Sequence, residues 1–137
     1  MTFIRSSGLA RFAAVSLAAS LVCAAASATT PAELLADYSA RAAAPAVPDR
    51  GQRLFATLQG REWSCASCHT AFPSQAGRHA STGKAIRPLA PAFNPERFTD
   101  AAKVEKWFRR NCNDVMAREC SAAEKADILS WLITLQP

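Results

Sequence analysis

Cys65-Ala66-Ser67-Cys68-His69 is the stretch of sequence that decides the fold. Two thiols three positions apart lie on one turn of chain and can add to the two vinyl groups of a single haem. The adjacent imidazole of His69 is then delivered to the iron as the proximal ligand. The motif therefore predicts one covalently bound haem c, attached through Cys65 and Cys68 and ligated by His69.

Two other chemistries use closely spaced cysteines, and the rest of the sequence disfavours both. A redox pair of the thioredoxin kind sits in a βαβ pattern, which is lacking here. A zinc site would need two more good ligands at metal spacing, and the sequence does not offer them. A covalent haem remains the favoured interpretation.

Two helices are predicted before the motif. Thr30-Pro31-Ala32-Glu33 has the form of a capping box, so a first helix begins there and runs to about Ala43. The proline-rich stretch 44–48 breaks it. Asp49 then caps a second helix that carries Gly51.

The segment 70–98 has little periodicity and contains four prolines and two glycines. A loop of that length is unusual inside a small domain unless it wraps something. We therefore expect an ordered loop around a large cofactor that replaces part of the missing core.

Two more helices are predicted after the loop. Thr99 or Asp100 caps the third, and Ser121-Ala122-Ala123-Glu124 is a capping box for the last. The expected buried stripe of the third helix is Val104, Trp107 and Phe108. The sequence thus predicts an all-α domain of about four helices around the haem, with no convincing strand.

The first 28 residues are typical of a secretory signal peptide. A basic start with Arg5 and Arg11 precedes an apolar stretch and an A-x-A pattern, Ala26-Ser27-Ala28. The stretch is short for a retained membrane anchor. We expect cleavage after Ala28 and a periplasmic protein that does not insert into the membrane. The mature chain, 29–137, would comprise an N-terminal helix and linker, 29–48, and a haem-binding core, 49–137.

Loss of Arg5 and Arg11 lowers the formal charge from +5 to +3. No basic stripe with interleaved aromatic residues is present, so nucleic acid is not an expected partner. Arg78, Lys84 and Arg87 are candidates to pair with the haem propionates, although a solvated basic loop explains them equally well.

Residue type alone does not determine which side chain is the sixth iron ligand. Met116 is the one methionine that remains after Met1, but it lies between Cys112 and Cys120 rather than in the proline-rich loop. Those two cysteines are each other's available partner in an oxidising compartment, and on the chain-entropy model a bridge closing so short a loop stabilises by about 2.5 kcal/mol. His79 and Lys84 are further donors. Asn111, expected at a helix end, suits a C-cap.

A family resemblance shifts this balance toward Asn111. Arg109-Arg110-Asn111-Cys112-Asn113 and Arg118-Glu119-Cys120, with Lys103-Val104-Glu105-Lys106-Trp107 before them, resemble the SHP family of small exported monohaem cytochromes c that bind oxygen. The loop segments 82–84 and 88–91 resemble that family too, and Arg50–Phe55 resembles the first helix of class I c-type cytochromes. The resemblance implies Asn111 as sixth ligand, beside a Cys112–Cys120 disulfide.

The resemblance also implies a function and partners. An amide oxygen is a hard, weak donor that holds ferric iron better than ferrous iron, so reduction would free the site for O₂ or NO. The implied electron donor is a dihaem c-type cytochrome, coupled to a membrane b-type cytochrome. The alternative is a simple electron carrier with His69 and Met116 as ligands. No distal general acid–base can be assigned, so turnover of NO or peroxide ranks below binding.

Overall fold

The computed structural model describes residues 28–137, so the predicted signal peptide lies outside the described residues except for Ala28. Its elements, in chain order, are α1 (Pro31–Ala42), α2 (Pro48–Ala56), α3 (Cys65–His69), β1 (Gly77–Arg78), β2 (Ala85–Ile86), α4 (Ala101–Met116) and α5 (Ala122–Thr134). The prediction of a small all-α domain is confirmed. The additional helix is α3, which is the short turn that carries the cysteine motif. Within residues 28–137, no helix is long and apolar enough to cross a bilayer.

Both predicted capping boxes are present. At α1 the Glu33 backbone N–H donates to the Thr30 hydroxyl over 3.2 Å, and the Glu33 carboxylate accepts from the Thr30 N–H over 2.8 Å. Ser121 and Glu124 make the same reciprocal pair at α5. Asp100, rather than Thr99, caps α4. Three of the four predicted helix starts therefore follow directly from side-chain capping chemistry.

The start of α2 differs from the prediction. The helix begins at Pro48, so Asp49 lies in its first turn and Val47 occupies the cap position. Proline suits the first helical position because its fixed φ fits the helix and its missing N–H would have no partner there. The cap is supplied from another helix, since the Val47 N–H donates to the Asp127 carboxylate over 2.7 Å.

Helices α2 and α5 cross in direct backbone contact at Gly51. A Cβ added at Gly51 would lie 2.0 Å from the Asp127 carbonyl oxygen, so only glycine fits. The Asp127 side chain is almost fully buried and pairs with the Arg50 guanidinium beside the crossing. Gly51 therefore permits the close approach of these two helices.

Helix α5 is the centre of the molecule. It is buried over the whole run 125–132, because α1 and α2 both pack against it. A helix that is buried on all sides lacks the solvent-facing polar side of an amphipathic helix. The core that it completes contains Leu34, Tyr38, Phe55, Val104, Ile128, Leu129, Trp131 and Leu132.

The predicted long loop contains a small antiparallel hairpin, β1–β2, with Gly77 opposite Ile86. The hairpin packs against the motif helix, since a Cβ at Gly77 would lie 2.1 Å from the Cys68 carbonyl oxygen. The Ala80 N–H also donates to the Cys68 sulfur over 3.3 Å. Strands of two residues leave no readable alternation in the sequence, which explains why they were not predicted.

Candidate haem site

One side of the domain holds a cavity of about 700 Å³. Volumes of this order accommodate large organic ligands and cofactors. Its walls come from α3, from the loop with its hairpin, from α4 and from the inner ends of α2 and α5. The predicted site residues Cys65, Cys68, His69 and Asn111 all line it, as do Phe55 and Trp63.

The two motif cysteines are held on a capped turn. The Ser64 N–H donates to the Ser67 hydroxyl over 3.0 Å, which fixes the start of α3. Neither cysteine forms a disulfide with another residue of 28–137, and burial raises the pKa of Cys65 to about 11. A sulfur that the fold keeps uncharged suits a position that ends as a neutral thioether.

His69 is held in its neutral form. Burial, followed by the positive charge of Arg97, lowers the pKa of His69 to about 4. Its ring lies 6.2 Å from the Phe55 ring, measured between centroids. No hydrogen bond within residues 28–137 engages the ring nitrogens, so a lone pair is free for a metal, as iron ligation requires. These features, with the cavity, fit a haem.

Asn111 reaches the cavity from a wall that is separate from the motif. It was expected at the end of its helix, but α4 continues to Met116 and its C-cap is Ala117 in a left-handed conformation. The C-cap interpretation of Asn111 is therefore wrong. The half-buried side chain faces the cavity instead.

The other donors proposed for the sixth position lie differently. Met116 is absent from the cavity lining, and its sulfur sits 3.6 Å from the Cys120 sulfur. His79 does line the cavity, but it belongs to the hairpin that packs against the motif helix. Its Nδ1 accepts from the Thr82 N–H over 3.4 Å and lies 3.2 Å from the Ser81 hydroxyl.

Cys112 and Cys120 form a disulfide with their Cα atoms 5.6 Å apart. Cys112 lies within α4, because the helix runs one turn past it to Met116. The bridge therefore ties the last turns of α4 to Cys120, the residue just before the Ser121 cap of α5.

The sequence analysis missed one cation in the cavity wall. Arg97 is half-buried, and its guanidinium donates to the carbonyl oxygens of Pro88 over 3.0 Å and Arg87 over 2.8 Å. Burial lowers its pKa, and no carboxylate within residues 28–137 forms an ion pair with it. A partly desolvated cation without an anion calls for one from a ligand. Nothing in the sequence distinguishes this arginine from an exposed one.

Only two of the three basic residues proposed as propionate partners line the cavity. Lys84 and Arg87 line the cavity, with Arg87 also paired to Glu96. Arg78 does not line it and donates to the Gly83 carbonyl over 2.7 Å.

Trp107 was expected in a buried stripe and is 44% exposed. It forms part of the cavity wall, where α4 faces the cofactor space rather than another helix. The Arg110 guanidinium stacks on its ring at 5.2 Å from the centroid. Trp63 also lines the cavity, whereas Trp131 is buried in the core against Phe55, with 5.0 Å between ring centroids.

Comparison with known proteins agrees with this geometry. Residues 41–132 match the family described as a domain of unknown function, DUF1924. The cytochrome c-type protein SHP of Cereibacter sphaeroides is 52% identical over 108 residues, covering 76% of this chain and 83% of that protein. Cytochrome c'' of Methylophilus methylotrophus is 49% identical over 82 residues, covering 60% of this chain and 57% of that protein.

Solved structures give the same relatives. The structure of oxidized SHP, described as an oxygen-binding cytochrome c, has a TM-score of 0.75 and 49% identity, covering 79% of this chain and 99% of that one. The crystal structure of oxidized cytochrome c'' from Methylophilus methylotrophus has a TM-score of 0.68 and 38% identity, covering 78% of this chain and 95% of that one. A solution structure of the latter protein addresses the structural basis of haem-ligand detachment.

The fold and the cavity with its cysteine motif define a small c-type cytochrome with a covalently bound haem c. Within that class, the chain belongs to the DUF1924 family of SHP and cytochrome c''.

Proposed function

We propose that this protein is an exported monohaem cytochrome c that binds O₂ or NO when reduced. In this proposal Cys65 and Cys68 carry the thioether bonds, His69 is the proximal ligand and Asn111 is a displaceable sixth ligand. Bound haem would supply the redox-active iron. The oxygen-binding description of the related SHP structure supports the choice of ligand.

The observation that carries the proposal is the pair of donors that line one cavity. His69, neutral and free of hydrogen bonds to residues 28–137, is on α3, and Asn111 is on α4. Met116 lies beside the disulfide and outside the lining. This arrangement supports Asn111 over Met116.

The chemistry of the carboxamide explains why it would be displaceable. Its oxygen is a hard, neutral donor and prefers the more highly charged ferric ion. Reduction therefore weakens its hold, and the side chain can withdraw with a small movement of α4. A thioether donor such as Met116 would instead favour the ferrous state and keep the site closed.

Cations at the cavity would anchor the propionates. Arg97 is the strongest candidate, because it is half-buried and forms no ion pair within residues 28–137. Lys84 and Arg87 are exposed at the cavity and would assist. Arg78 is left out of this role.

The proposal includes export and a redox donor. Cleavage of residues 1–28 would leave 29–137 in the periplasm, with 49–137 as the haem-binding core. A dihaem c-type cytochrome would be the donor. Basic residues at the cavity, Lys103 and Arg110 among them, would steer an acidic partner toward the haem edge.

Optical spectra of the purified holoprotein, with and without CO, test the ligand assignment. We expect a high-spin ferrous spectrum that changes on addition of CO. The Met116→Leu variant should give the same spectra. A low-spin ferrous spectrum inert to CO, lost in Met116→Leu, would identify an electron carrier ligated by His69 and Met116.

A further inference from the structure

Helix α4 is attached to the rest of the protein mainly through side chains. The backbones of α1 and α2 pack closely against α5, whereas α4 makes few close backbone contacts with any described element. One side of α4 faces the cavity and therefore has no protein to pack against. The side-chain contacts that attach α4 to the other helices, called fastenings below, therefore determine the position of Asn111.

One fastening is a cluster of charges where α1, α4 and α5 meet. The Glu105 carboxylate of α4 accepts from the Lys125 ammonium over 2.7 Å and from the Arg41 guanidinium over 3.0 Å. The Lys125 side chain is only 10% exposed. Its nitrogen lies 5.7 Å from the Tyr38 ring centroid and 5.8 Å from that of Phe108. Glu105 is the one anion paired with this nearly buried ammonium among residues 28–137.

The second fastening is covalent and lies on the same face of α4. Cys112 follows Glu105 by seven residues, which is about two turns, or roughly 10 Å along the axis. The disulfide ties it to Cys120, just before α5. Both fastenings therefore join α4 to α5, the helix whose position is fixed by its contact with Gly51.

Asn111 and Phe108 connect these fastenings to the cavity. Phe108 lies one turn before Asn111, lines the cavity, and packs edge-on against the buried Tyr38 ring with 5.9 Å between centroids. Asn111 is adjacent to Cys112. If the Glu105 fastening opens, α4 stays tied at Cys112 and can roll about that point, which moves the carboxamide within the cavity.

We propose that Glu105 is a positioning residue that controls how readily Asn111 leaves the iron, by pairing with Lys125 and holding α4 against α5. This inference rests on the proposed role of Asn111 as sixth ligand. Glu105 does not contact the cofactor space; it acts through the helix that carries the ligand. The disulfide limits how far α4 can move, and the Glu105–Lys125 ion pair sets the equilibrium between the bound and the withdrawn position of Asn111.

Glu105→Gln tests the proposal, with Asp37→Asn as the matched control. Asp37 forms an exposed ion pair with Arg41 over 3.1 Å on α1, so the control removes a carboxylate next to the cluster and leaves the Glu105–Lys125 pair intact. In Glu105→Gln holoprotein we expect a larger high-spin ferric fraction and a rate of cyanide association to the ferric haem raised about fivefold, the size of effect typical for residues that modulate a coupled equilibrium. The control should match the wild type.

A double variant separates positioning from simple stability. Glu105→Gln alone leaves the Lys125 ammonium nearly buried without a counter-charge, which destabilises the fold. Glu105→Gln combined with Lys125→Met removes that charge, so the melting temperature should recover while the fast cyanide association to the ferric haem remains. Recovery of wild-type cyanide kinetics together with the melting temperature would overturn the proposal, and so would a single variant that behaves like Asp37→Asn.

The Asn111→Ala variant distinguishes this proposal from the function on which it rests. If Asn111→Ala has wild-type spectra, Asn111 is not a ligand and the proposed function fails. If Asn111→Ala is high-spin but the Glu105 variants retain wild-type kinetics, only the positioning role of Glu105 is wrong.

Discussion

Asn111 lies in the interior of α4, where its backbone belongs to the helix and only its carboxamide is free to bind. Gly51 and Arg97 are other single residues whose surroundings define their roles. Gly51 permits the contact between α2 and α5, and Arg97 brings to the cavity wall a cation that forms no ion pair within residues 28–137. The cysteine motif was readable from sequence because covalent chemistry fixes its spacing. The role of Arg97 could not be predicted from the sequence, because the burial of its side chain depends on how the loop folds.

Replacing Gly51 with alanine should destabilise the protein strongly. The added Cβ would lie 2.0 Å from a backbone carbonyl oxygen that cannot yield without moving α5. Overpacking of this kind costs about 1–3 kcal/mol or more. Chemical denaturation of the holoprotein measures the effect. Gln52→Ala, at an exposed position of the same helix, is the control, and equal stability of the two variants would contradict the packing argument.

Replacing Arg97 with glutamine should lower the midpoint potential of the haem, because a positive charge near the iron disfavours the ferric state. It should also make the potential more dependent on pH near neutrality, since a propionate that loses its cation titrates at higher pH. Potentiometric titration at several pH values measures both effects. Arg78→Gln removes a cation that does not line the cavity and should change neither. Identical curves for the two variants would exclude Arg97 as a propionate partner.

Helix α4 shows what a local pattern can and cannot predict at the scale of an element. Its Asp100 start follows from capping chemistry, and the structure contains that cap. Its end was placed too early because Asn111 and the cysteine pair resemble a terminus, whereas the helix continues to Met116. The helix can carry a disulfide in its last turns because Cys120 returns to it from the short connection to α5. Trp107 was misplaced because periodicity does not say whether a face meets protein or cofactor.

Removing the disulfide should change both stability and ligand binding. Replacing Cys112 and Cys120 together with serine removes the covalent fastening of α4, at a cost of about 2.5 kcal/mol on the chain-entropy model. Freed at that end, the segment carrying Asn111 should give altered ferrous CO association kinetics. Denaturation curves and flash photolysis of the CO complex measure the two quantities. Unchanged ligand kinetics in a folded variant would show that the bridge does not restrain Asn111.

Residues 28–137 form a closely packed half and a cavity wall that is attached to it mainly through side chains. Helices α1, α2 and α5 form the packed half, and the loop with α4 encloses the cavity. The all-α class and the haem were predictable, since the motif and the long unpatterned loop together require a cofactor in place of core. The way in which the two parts are joined could not be predicted from the sequence. Glu105, Lys125 and Arg41 are distant from one another along the chain and resemble ordinary surface charges.

The charge cluster should make stability depend on acid. Burial alone would raise the pKa of Glu105, but hydrogen bonds from Lys125 and Arg41 outweigh it and lower that pKa to about 2. The carboxylate therefore stabilises the fold above its ordinary pKa of 4.5, and this contribution is lost as pH falls from about 4.5 to about 2. The difference in unfolding free energy between wild type and Glu105→Gln should shrink over that range. A constant difference down to pH 2 would contradict the assignment.

Resonance Raman spectroscopy of the ferric and ferrous holoprotein tests most directly whether Asn111 is a ligand that reduction displaces. The coordination-sensitive bands should report six-coordinate ferric iron and five-coordinate high-spin ferrous iron in the wild type. Asn111→Ala should be high-spin in both oxidation states. Ferrous iron that stays six-coordinate and low-spin, in the wild type and in Asn111→Ala alike, would contradict the account.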